Sequence, residues 1–75
     1  MLQVGDAVMF DPTVKNPYVE YFGGNIGIVK GSTINSDGKN IVSVVWIVPV
    51  LYFGRYTSIS SFSASYFTKC ENHGR

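Results

Sequence analysis

The sequence predicts an all-β domain, a small barrel of five short strands with one helical turn before the last strand. Three observations lead there. Apolar residues alternate or form short runs rich in Val and Ile, Gly, Pro, Asn and Asp punctuate those runs, and no stretch supports a helix of useful length. Size agrees: 75 residues leave room for one domain, with about 4,600 Å² exposed when folded against about 12,000 Å² unfolded. With 45% apolar and 15% charged residues, the composition is that of a compact soluble domain rather than a disordered tail.

The first strand is VGDAVMFDP, Val4 to Pro12, with Val8 and Phe10 directed inward, a Gly-Asp turn before them and Pro12 as the stop. Residues 11–25, DPTVKNPYVEYFGGN, hold two prolines and a Gly-Gly pair and read as a long loop. Loops longer than about 12 residues in compact domains tend to be functional, and this one carries Tyr18, Tyr21 and Phe22. NIGIVKGS is the second strand, where Gly27 signals a bulge, a bend or a close backbone approach. TINSDGKN then turns the chain at Asp37-Gly38 into the third strand.

That third strand opens the apolar stretch IVSVVWIVPVLYF, residues 41–53. A transmembrane helix needs about 20 apolar residues, whereas this run has Pro49 inside it and is dominated by Val and Ile, so no membrane anchor is expected. Ile41 to Val48 is predicted as a strand apolar on both faces and ended by Pro49. A short fourth strand falls at Tyr56 to Ile59. Phe62 to Ala64 reads as one helical turn with Phe62 pointing into the core, and Tyr66 to Cys70 as the last strand ahead of a frayed tail. The expected core is drawn from Val8, Phe10, Ile28, Val44, Trp46, Phe62 and Phe67.

The segments VGDAVMF, GNIGIVKG and VSVVW resemble the opening strands of SH3-like, KOW-like and Tudor-like modules, with a V-G-D-x-V start, a G-x-x-G-x-V second strand and a V-x-V-x-W third. The resemblance covers about residues 4–48 and implies a five-stranded SH3-like barrel, a fold that hosts many functions. It also implies a ligand groove between the long first loop and the later loops, which would bring Tyr18, Tyr21 and Phe22 toward the second aromatic group. The first loop lacks the acidic run of proline-peptide-binding SH3 domains, with only Glu20 nearby.

Catalysis is not expected. The single histidine, His73, lies in the tail, so no base is placed to activate a Ser or Cys. Asp6, Asp11, Glu20, Asp37 and Glu71 fall at turns, loop starts and the tail rather than flanking a cleft. Cys70 with His73 is half a zinc site, and the glycines form no phosphate-binding pattern, so no metal or cofactor is expected. A lone cysteine and no secretory leader at Met1-Leu2-Gln3 point to a cytoplasmic setting.

The aromatic content carries the functional expectation. Tyr18, Tyr21, Phe22, Tyr52, Phe53 and Tyr56 exceed what a small core can hold, and Tyr and Arg are enriched at interface hot spots. The candidate protein-docking residues are Tyr18, Tyr21, Phe22, Tyr52, Phe53, Arg55 and Tyr56. The expected function is a non-enzymatic binding module for a protein partner, of the size of a phage-encoded accessory or inhibitor factor. A second reading is a KOW-like nucleic-acid binder using Lys30, Lys39 and Arg55, against which stands a net charge of only +1. A third is the subunit of a homo-oligomer that pairs edge to edge through residues 41–48.

Overall fold

The computed structural model describes residues 2–70. Five strands, β1 (Ala7–Phe10), β2 (Gly27–Ile34), β3 (Asn40–Tyr52), β4 (Arg55–Ser63) and β5 (Phe67–Lys69), form one antiparallel sheet. Its strand order is β4-β3-β2-β1-β5. A one-turn helix α1 (Val19–Phe22) lies in the first loop, and a 3-10 turn (Ala64–Tyr66) joins β4 to β5. The all-β class, five strands and the helical turn before the last strand agree with expectation. Closure does not: β4 and β5, the two ends of the order, do not pair, so the sheet is not closed into a barrel.

The connection still forces strong curvature. In a flat sheet, β4 and β5 would lie about 19 Å apart, four strand spacings, yet Ser63 and Phe67 are separated by four Cα steps that span at most about 15 Å. The sheet must curl to bring its two edges together. Aromatic side chains fill the curl. Phe10 packs edge-on against Phe62 of β4 at 5.4 Å and tilted against Phe67 of β5 at 5.1 Å between ring centroids.

The core is Val8, Phe10, Phe22, Val29, Val42, Val44, Trp46, Val50 and Phe67. Two expected members differ. Val29 rather than Ile28 faces inward, and Phe62 is half-buried against the core rather than within it. Gly27 is in close approach, not in a bulge: a Cβ there would stand 3.1 Å from Val44 Cβ and 3.2 Å from the Trp46 ring. The bulge lies further along, where Val29 pairs with Val44 and Gly31 with Ser43, leaving Lys30 as the extra residue.

Three boundaries depart from the sequence reading. Pro49 does not end the third strand, because β3 runs on to Tyr52. Between the pairs Val45–Ile59 and Val50–Thr57, four β3 residues stand against Ser58 alone. Pro49 sits in that irregularity, where its missing N–H breaks no ladder bond. β4 begins before Tyr56 and continues through Phe62, so the helical turn falls at Ala64–Tyr66 instead of Phe62 to Ala64. The last strand, Phe67–Lys69, is correspondingly shorter than expected. The β2–β3 turn is as predicted at Asp37-Gly38: Asn35 Oδ1 accepts from the Asp37 and Lys39 amides, and Gly38 takes φ 80°.

Candidate docking site

The first loop is built to carry α1. Asn16 Oδ1 accepts the Tyr18 amide at 2.8 Å, and the Phe22 amide donates to Tyr18 O, closing one turn. That turn drives Phe22 into the core, where it is 1% exposed and stacks on Trp46 with ring centroids 5.3 Å apart. Phe22 was expected to face a partner; it supports the site from beneath instead. Tyr18 leans on Phe62 at 4.7 Å, and Tyr21 meets Tyr52 edge-on at 4.9 Å and Phe53 at 5.4 Å. The first loop therefore does reach the second aromatic group. It covers the inward side of residues 50–56, where Val50 is buried and Tyr52 packs on Phe22 at 5.1 Å.

The outward side stays open. Tyr52 pairs with Arg55 across a two-residue hairpin loop, Phe53-Gly54, whose residues take φ 51° and φ 78°. Positive φ at both loop residues is the geometry of a type I′ hairpin, which favours Asn-Gly. A phenylalanine with positive φ is costly, by about 1–2 kcal/mol relative to a residue that tolerates it. Yet Phe53 holds that position 76% exposed. Beside it, Leu51 pairs with Tyr56, which is 75% exposed, and both side chains share the outer face. Leu51 and Ile59 are not among the predicted docking residues: Leu51 falls beyond the predicted strand end at Pro49, and the outward face of Ile59 depends on the change of face at Ser58.

Lys30, Lys39 and Arg55 do not gather. Lys39 precedes β3 and Arg55 follows it, so the two stand at opposite ends of a 13-residue strand. Lys30 projects from the β2 bulge. Lys69 is engaged by Asp6 at 3.6 Å. Of residues 41–48, named for an oligomer contact, Ile41–Val45 are paired with β2 on one side and β4 on the other and offer no free edge there. Among the described residues no group of His, Cys, Asp or Glu is arranged to hold a metal ion; Glu71 and His73 lie outside them. No helix among the described residues is long and apolar enough to cross a membrane.

Asp11 accepts bonds from both the hydroxyl and the amide of Thr13, at 2.7 and 2.9 Å, and these hold its carboxyl below the usual range. That arrangement shapes the start of the first loop. Compared with known proteins, the chain matches no family model, no curated relative and no solved structure.

Proposed function

We propose that the protein is a non-catalytic binding module that docks a protein partner through Phe53 and Tyr56, with Leu51 beside them and Tyr21 and Tyr52 behind. The observation that carries this reading is the conformation of Phe53. An exposed aromatic side chain is kept at a hairpin position where asparagine would sit without strain. Strain retained at an exposed position is the signature of a residue kept for contact rather than for stability. Aromatic anchors flanked by an arginine match the composition of interface hot spots.

The curled sheet, its strand order and the long first loop support an SH3-like architecture, in which the first loop and the β3–β4 hairpin flank the binding surface. Tyr18 belongs to that surface only at its rim, and Phe22 belongs to its foundation. The test is capture from native cell extract with the wild-type protein and with the double variant Phe53→Asn, Tyr56→Thr. Loss of a specific captured protein, with the amide NMR spectrum still folded, is the expected result. An unchanged set of captured proteins rules the surface out.

A further inference from the structure

The free edge of β4 lies beside the proposed docking face. β4 is one of the two edges of the sheet, and none of its nine residues is buried. Among the described residues its backbone makes no hydrogen bond outside its ladder with β3. In an antiparallel edge strand, alternate residues direct both N–H and C=O away from the neighbour, leaving a template for another strand. Natural edges are normally blunted by lysine, proline, inward-pointing charge or extreme shortness. The other edge, β5, follows that rule, with three residues and the Asp6-paired Lys69. β4, RYTSISSFS, carries no lysine, proline or carboxylate, and its only charge is Arg55 at one end.

We propose that β4 takes up an extended segment of the partner as an added β-strand, with an acidic side chain of that segment at Arg55 and apolar side chains over Tyr56 and Ile59. This rests on the docking reading above and assigns its partner a chemistry. Charge selects the acidic residue: Arg55 makes no ion pair among the described residues, and no carboxylate on β4 competes for it. Apolar selection follows from Ile59, 64% exposed near the middle of the strand, and from Tyr56 beyond it.

A second copy of this chain paired along the strand about Ile59 fits the edge poorly. A two-fold axis normal to the sheet sets outward residues opposite outward ones. Centred on Ile59, it would place the outward Tyr56 opposite the second copy's Phe62, which packs inward beside Val42. The mismatch arises because β4 changes face at Ser58, opposite the four-residue irregularity of β3. A pliable peptide can follow that change along the whole strand, whereas a rigid copy paired across Ser58 cannot.

The test uses the isotope-labelled chain and a synthetic peptide of about ten residues, long enough to span the strand, with valines three residues apart to meet Tyr56 and Ile59, threonine elsewhere and a glutamate at one end. A matched peptide carries lysine in place of glutamate. Binding is expected to slow amide exchange at alternate residues of Arg55–Ser63, and Ile59→Lys should abolish it while the folded spectrum is kept. The glutamate peptide should bind about fivefold more tightly than its lysine twin at low salt, as for an exposed ion pair. Arg55→Ala should remove that difference, a readout that does not depend on Ile59→Lys folding.

Three outcomes overturn the proposal: no binding by either peptide, shifts confined to Tyr21, Tyr52 and Phe53 with β4 exchange unaltered, or sedimentation as a dimer with β4 already protected. The second would leave the aromatic docking reading standing. Only the capture experiment on Phe53 and Tyr56 bears on that.

Discussion

Phe22 of the first-loop helix lies stacked on Trp46 of β3, with ring centroids 5.3 Å apart and planes 18° from parallel. Trp46 in turn donates its indole N–H to the Ser60 hydroxyl of β4 at 3.0 Å. One ring thus ties the first loop to the part of β3 where the ladder breaks, and the indole ties it to β4. The loop is a structural lid over the core before it is anything else.

Phe22→Ala is therefore expected to cost about 3–5 kcal/mol, the range for removing a buried phenylalanine. Tyr21→Ala, whose side chain is half-buried, is expected to cost about 1–2 kcal/mol. Urea unfolding followed by Trp46 fluorescence measures both. Similar costs for the two residues would contradict the assignment of Phe22 to the core and Tyr21 to its outer rim.

Phe53→Asn is expected to leave stability within about 1 kcal/mol of wild type. Relief of the left-handed strain, about 1–2 kcal/mol, offsets loss of the ring contacts with Tyr21 and Tyr52, about 0.5–1.5 kcal/mol. The same variant should weaken partner capture. A loss of several kcal/mol would mean that the Phe53 ring serves the fold itself.

Two glycines of β2 separate close packing from an open position. Gly27→Ala should destabilise by about 1–3 kcal/mol, because the new Cβ meets Val44 and Trp46 in a filled core. Gly31→Ala meets nothing within 4 Å, and its backbone needs no positive φ. It should be neutral to within about 0.5 kcal/mol. Paired denaturation curves decide the matter, and equal effects would contradict the register on either side of Lys30.

At low pH the start of the first loop should loosen. The folded Asp11 carboxyl is held below its ordinary value by the Thr13 hydroxyl and amide. A depressed folded pKa contributes stability that is present above the unfolded pKa and lost as pH falls through the folded one. Thr13→Val should move Asp11 titration upward, toward the ordinary carboxylate range, as read by carboxyl-carbon NMR shifts. An unmoved titration would show that the hydroxyl bond is not made.

The strands were legible wherever a residue's chemistry constrains the backbone locally. Alternation placed Val8 and Phe10 inward, Asp37-Gly38 marked the turn, and the Val-Ile run marked β3, since each depends on neighbours a few residues away. Pro49 misled for the same reason. Locally it reads as a strand stop, but four β3 residues opposite one β4 residue create a place where no ladder N–H is needed. Phe62 was assigned to a helical turn because the serines around it suit capping. The cross-strand pair with Val42 outweighs that local preference.

The candidate site divides in the same way. By itself the sequence determined that there were more aromatic residues than a small core could hold, and that they fell into two groups, residues 18–22 and 52–56. Only the tertiary structure decided which rings were foundation and which were surface: Phe22 against Trp46 inside, Phe53 and Tyr56 outside. That decision rests on the curl of the sheet and on the register change after Val45, across which β3 keeps its faces while β4 changes face at Ser58. Composition fixes how much apolar surface there is. Long-range pairing fixes which of it water can reach.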